Sequence, residues 1–258
     1  MSAPATAAPA AAWAPYFSEC RYELLATWRQ PAFTLPTLLF PAMFYLFFGV
    51  VFAGGGAASS AEVSAYLLAT YGAFGVIGTA LFGFGVGVAV ARETGEMRLK
   101  RVAPVPPLAT LTAKGLCAAV FSLVVITELF ALAGGLAGVA LPRGQWLGLA
   151  AVLLVGTLPF AAFGLAIGTH VSGKASATVV NLIYLPMSFL SGLWIPIEVM
   201  PSFLRDVAFA LPPYHLAQLA LGQLGRSAGQ PAMLHVAALL ITTVICLAIA
   251  VRGLRRTD

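Results

Sequence analysis

Hydrophobic positions along this chain come in long unbroken runs, with polar residues confined to the gaps between them. A run of about 20 apolar residues is the length a helix needs to cross roughly 30 Å of hydrocarbon. Six such spans are predicted: Ala32–Phe52, Ser64–Ala91, Thr112–Leu141, Trp146–Thr169, Ala175–Trp194 and Leu234–Val251. Ahead of the first, Trp13, Tyr16, Phe17, Cys20, Leu24 and Trp28 recur at helical spacing, with Glu19 and Glu23 on another face. That pattern over residues 13–30 predicts an amphipathic helix lying in the membrane interface, its rings at headgroup level. Pro31 marks the break from the first span. Residues 1–12 are Ala/Pro-rich, lack the basic and Leu-rich regions of a signal peptide, and are expected to form a flexible tail.

Between the fifth and last spans the alternation changes. Ser191 to Gly225 carries Pro196, Pro201, Pro212 and Pro213 with short amphipathic pieces between them. Proline lacks an amide donor and clashes with the preceding turn, so residues 195–225 are expected to form short re-entrant helices, not a span. Small residues repeat every fourth position at Gly75, Thr79, Gly83 and Gly87, and again at Gly134/Gly138 and Gly164/Gly168. This spacing lets helix backbones approach closely in lipid.

Composition agrees with the pattern and narrows it. Sixty per cent hydrophobic and 9% charged residues exclude an ordinary soluble domain. The fold expected is all-α: a polytopic membrane protein with one domain over residues 31–251 and a basic tail at 252–258. A net charge of +5 gives no reason to invoke nucleic acid, because orientation explains it. With a cytoplasmic N-terminus, Arg21, Arg29, Arg92, Arg98, Lys100, Arg101, Lys114, Lys174, Arg252, Arg255 and Arg256 lie inside, and Arg143, Arg205 and Arg226 outside. That is the positive-inside bias, and it predicts that both termini are cytoplasmic. The densest charge is in ARETGEMRLKRVAPVPP, Ala91–Pro107, where Glu93 and Glu96 sit among Arg92, Arg98, Lys100 and Arg101. Topology explains the bases but not the two acids.

Enzymatic signatures are missing. The sequence has neither a G-x-x-x-x-G-K-[ST] loop nor a dinucleotide fingerprint. It has no G-x-S-x-G elbow or H-E-x-x-H pair, and His170 and His215 fall at opposite membrane faces in the predicted topology. Cys20, Cys117 and Cys246 show no metal or disulfide spacing and are expected to be inert. Glu128, alone in the third span, is either a carboxylate on a transport path or an acid that locks helices together. Asn181 in the fifth span is either glue between helices or part of that path.

The order of these features resembles the permease subunit of a type-2 ABC exporter. The resemblance is carried by R-E-x-G at Arg92–Gly95 with Leu99, Arg101 and Pro104, by Lys114-Gly115, and by P-x-x-F-L-S-G at Pro186–Gly192 continued through Pro196, Pro201 and Pro212–Tyr214. It implies a bacterial inner-membrane subunit that binds no cofactor itself, pairs with a second permease copy, and is driven by a separate dimeric ATP-binding protein using ATP and magnesium. It assigns Arg92, Glu93, Glu96, Arg98, Lys100 and Arg101 to a coupling helix, with the helix at 13–30 bracing the same contact. It places a path between the first, second and fifth spans, and makes Pro196, Pro201, Pro212 and Pro213 part of an external gate. The short outer loops favour a small amphipathic cargo, with a drug, lipid or glycan all open. The competing reading is a secondary transporter with Glu128 as its proton or ion site.

Overall fold

A computed structural model describes residues 13–52, 59–97, 99 and 106–255. The tail at 1–12, residues 256–258, and Arg98, Lys100 and Arg101 of the charged segment lie outside the described residues. Among the described residues every regular element is helical.

The predicted interfacial helix is α1 (Ala14–Trp28). It ends because Gln30, which precedes Pro31, leaves the helical region at φ −101° and ψ 86°, as a residue before proline tends to do. Pro31 then opens α2 (Pro31–Phe44), where its missing amide is harmless. Pro36 and Pro41 remove donors inside α2, and the helix continues as a wider π-helix over Tyr45–Phe52. Ser64 supports this stretch from the next span: its hydroxyl donates to the Gly49 carbonyl at 2.5 Å, while Tyr45 donates to the Ser64 carbonyl at 3.2 Å.

The second span is a single rod of three parts, α3 (Ser59–Ala80), a π-helical turn over Leu81–Val86, and α4 (Gly87–Glu93). It is the most enclosed span and forms the axis of the bundle. Around it stand α5 (Pro107–Gly135), the paired α6 (Arg143–Val155) and α7 (Thr157–Gly168), α8 (Gly173–Leu190), α9 (Ser202–Phe209), α10 (Pro212–Gln223) and α11 (Ala232–Arg255). Phe74, Ile77 and Leu81 of the axis meet Val125 and Leu129 of α5, Leu149 of α6 and Phe160 of α7 in one core. In lipid such contacts hold by shape and dispersion.

Among the described residues five helices are long and apolar enough to cross a membrane: Pro31–Phe52, Ala61–Glu93, Ala109–Gly135, Arg143–Gly168 and Ala232–Arg255. The element expected as the fifth of six spans is α8. It forms as an 18-residue helix, but Lys174, Ser176, Thr178 and Asn181 dilute its apolar character, and it is not among the five. The span predicted from Trp146 to Thr169 is interrupted at Gly156, between α6 and α7.

The small-residue repeats divide into two kinds. Gly164 and Gly168 of α7 press on the backbone of the π-helical turn. A Cβ at Gly164 would stand 3.0 Å from the Gly85 nitrogen, and one at Gly168 would stand 2.6 Å from the Gly85 oxygen. Gly75 is equally confined, by Val125 and Pro41. Gly134/Gly138 is not a seam: a Cβ at Gly134 would meet nothing within 4 Å, and Gly138 lies beyond the end of α5 with φ +65°, a turn glycine.

The four prolines of the element before the last span all stand at helix starts. Pro196 precedes a 3-10 turn at Ile197–Val199, Pro201 precedes α9, and Pro212 and Pro213 open α10. Helix α9 is amphipathic and exposes Phe203 and Val207, whereas α10 is almost wholly buried against α3, α6 and α11.

Candidate functional site

The charged segment does not form one continuous helix from Arg92 to Arg101. Arg92 and Glu93 finish α4; Thr94 and Gly95 turn the chain, with Gly95 at φ +77°, where a side chain would be strained. Helical geometry resumes at Glu96 and Met97 and includes Leu99, which is 70% exposed. The break separates two jobs. Arg92 turns inward and donates from Nη1 to the Gly168 carbonyl at 2.8 Å, satisfying an orphan acceptor at the end of α7. Glu93 accepts from the Lys174 amide at 3.1 Å, so its negative charge sits at the start of α8, the end of a helix that favours an anion. Glu96, beyond the break, lines a cavity beneath α1.

Helix α1 rests on α5 through its acids. Lys114 Nζ donates to Glu23 Oε1 at 2.5 Å in a buried pair, and the Thr110 hydroxyl donates to Glu19 Oε1 at 3.4 Å. The predicted aromatic stripe is divided: Trp13 is 78% exposed and Phe17 is exposed with it, whereas Tyr16, Cys20 and Leu24 are half-buried and Trp28 packs on Phe121 of α5. Sequence periodicity did not sort the residues of α1 by face: half-buried Cys20 and Leu24 belong to the same predicted stripe as exposed Trp13 and Phe17. It gave no sign that Glu23 and Lys114, 91 positions apart, would meet.

Two cavities follow the axis. One, of about 170 Å³, lies between α1, α5 and the second span and includes Glu23, Glu96 and Lys114 in its wall. The other, of about 380 Å³, lies between the first span, the second span and α8. Phe40, Phe74, Phe82 and Tyr184 line it, and Asn181 and Thr37 are among its few polar groups. Gly75 and Gly78 also line it, both closely packed: a Cβ at Gly75 would stand 2.5 Å from Val125 and one at Gly78 2.8 Å from the Tyr184 hydroxyl. Tyr184 is held by donating to the Phe74 carbonyl at 2.7 Å. Phe33, Phe82, Val86 and Gln30 border both cavities.

At the far end of the bundle His215 of α10 and His235 at the start of α11 share a 2.9 Å Nδ1–Nδ1 contact, in which one ring must donate and the other accept. Burial pushes the His215 imidazole below its ordinary value, against a hydrogen bond with the Phe209 backbone that raises it. His170 is at the opposite end, beside Gly253, as the predicted topology requires.

Against known families, a model of the ABC-2 type transporter matches residues 16–224, from α1 to the end of α10. The chain belongs to the ABC-2 type transporter family. A protein of Bacillus subtilis (strain 168) named "Putative transport permease YvfS" is 28% identical over 193 residues, 75% of this chain and 78% of that protein. The chain is thus a transport permease of the ABC-2 type, a multi-pass membrane subunit of a family generally paired with an ATP-binding subunit.

Within this ABC-2 permease the predicted site residues fall into separate places. Asn181 lines the larger cavity, while Glu128 is half-buried on α5 and lines neither. The hydroxyl of the neighbouring Thr127 donates to the Leu123 carbonyl at 2.7 Å. Pro196, Pro201, Pro212 and Pro213 cluster at the end remote from Arg92, next to the Arg226–Glu62 ion pair and the histidines. Of the three cysteines, Cys117 and Cys246 are buried and Cys20 is half-buried, all as free thiols. The residues that sequence reasoning missed are Glu23, taken as part of a polar face, and Lys114, taken as a topology marker. Two acids in one amphipathic segment and a lone base near the start of an apolar one were the available signal.

Proposed function

We propose that this ABC-2 permease is the membrane subunit of an ATP-driven exporter, moving a small amphipathic molecule, drug, lipid or glycan outward across a bacterial inner membrane. The observation that carries the reading is the interrupted helix below the second span. A rod fixed to α7 by Arg92 and to α8 by Glu93 continues, after Gly95, into a half-buried helical turn at Glu96 and Met97 that includes the exposed Leu99. Such a turn offers a separate ATPase something to grip, and the rod behind it reaches the centre of the bundle. Closure of an ATPase dimer on nucleotide would press on this turn and on α1, and shift two packed elements between discrete arrangements.

In this reading six spans cross the membrane, with α8 as the fifth. The termini and the charged segment face the cytoplasm, and the elements from Pro196 to Gln223 close the external end. A second permease copy pairs through the outward apolar faces of α2 and α8, which expose Leu35, Leu39, Met43 and Leu182. The larger cavity lies on that side, and its aromatic walls with few polar groups suit an amphipathic cargo. ATP and magnesium belong to the partner; this chain binds no cofactor. Glu128, the site of the ion-coupled alternative, lines neither of these two cavities.

The test is affinity purification of the permease from its native host membrane. An ATP-binding protein should co-elute in stoichiometric amount, and the complex should hydrolyse ATP. If the chain alone carries fluorescent amphipathic dyes into proteoliposomes under an ion gradient, the exporter reading is wrong.

A further inference from the structure

Three elements converge on Lys114. Its ammonium pairs with Glu23 of α1 at 2.5 Å, with both side chains nearly excluded from solvent at 6% and 12% exposure. It also lies against the second span, because a Cβ built on Gly87 would stand only 3.6 Å from Nζ. Contacts one turn to either side continue the attachment of α1 to α5. Thr110 bonds Glu19 before it, and Cys117 Sγ lies 4.0 Å from the Glu23 carbonyl after it. Further on, Trp28 meets Phe121 with ring centroids 5.8 Å apart.

A buried ion pair adds little net stability over apolar residues of the same shape, and its best-attested use is to fix register. For α1 the pair and the Thr110–Glu19 bond set a register that the ring packing of Trp28 on Phe121 alone would leave loose. On the other side of the pair is the cavity of about 170 Å³, walled by Gly83, Gly87 and Phe82 of the second span. The pair therefore joins α1 to α5 beside the second span, touching it at Gly87, with the cavity next to that contact.

We propose that Glu23 and Lys114 are positioning residues for transport. They lock α1 to α5, so that a displacement of α1 carries the third span with it, and the adjoining cavity is the room into which the joined pair swings. The inference rests on the exporter reading only for what pushes α1; the lock itself is a property of this chain.

The native Cys117 thiol, covered by α1, serves as the reporter once Cys20→Ser and Cys246→Ser leave it as the single cysteine. In purified permease reconstituted in lipid nanodiscs, N-ethylmaleimide should modify Cys117 slowly. Glu23→Gln or Lys114→Gln should speed it by about tenfold or more, since removing one partner strands a buried charge. The exchange Glu23→Lys with Lys114→Glu should restore protection. If the single variants are too unstable to purify, the exchange decides alone: a folded, protected exchange supports the lock, and one as unstable as the singles overturns it. Unchanged labelling in the single variants also overturns it. In the ATPase complex, a non-hydrolysable ATP analogue should leave Cys117 protected while changing the labelling of a Gly83→Cys reporter across the cavity, a position with open space around it. Cys117 exposed by nucleotide, with the Gly83→Cys reporter unchanged, would mean that α1 parts from α5. The nanodisc measurements need no ATPase, so failure of the exporter reading and failure of the lock give different results.

Discussion

At the residue scale the charged segment separates acids that look equivalent in sequence. Glu93 is held by the start of α8, and Glu96 stands past the Gly95 turn. Reversal of each should therefore give a different phenotype. Glu93→Lys places a cation where the α8 dipole favours an anion, a loss of roughly 0.3–1 kcal/mol for the missing charge and more for the reversal. Thermal unfolding of the purified permease should show it as a lower midpoint. Glu96→Lys should reduce the amount of ATPase that co-purifies. Equal loss of complex from both, with equal stability, would remove the distinction. Nothing in the spacing R-E-x-G tells these roles apart. The turn at Gly95 does so, and glycine there was the one local sign that the helix would stop.

At the element scale the small-residue repeats acquire unequal weight. Gly168 touches backbone oxygens of the π-helical turn, so Gly168→Val must force α7 away from the axis. Such overpacking costs about 1–3 kcal/mol or more, and expression in the membrane with thermal unfolding should register the loss. Gly134→Val, made in open space, should behave like the parent. Element type and order were legible from hydropathy alone, because an apolar run of span length has few other destinations. The interruption at Gly156 had a local sign as well, since Pro159 lacks the amide that would bond the Val155 carbonyl. Two things were harder to read. The π-helical turn over Leu81–Val86 depends on the glycines of α7 seated against it. The polarity of α8, readable in Lys174 and Asn181, was outvoted by its Val, Leu and Ile residues.

At the scale of the whole molecule, the charged contacts gather at the ends of an apolar bundle. Arg92, Glu93, Lys114 and Glu23 lie toward one end, and Glu62 with Arg226 toward the other. Positive-inside reasoning anticipated this division of residues, but not that several of the cations would be spent on internal contacts, since pairing between remote segments leaves no periodic trace. The larger cavity has an electrical consequence. Among the described residues no ionisable acid or base other than a tyrosine lines it. One elementary charge carried through the full membrane field changes in energy by about 2.3 kcal/mol per 100 mV, and walls without charge incur none of this. If the cargo crosses there as a neutral molecule, ATP hydrolysis by the reconstituted complex should run at the same rate with or without an imposed potassium diffusion potential. A rate that follows the voltage would show charge travelling with the cargo itself.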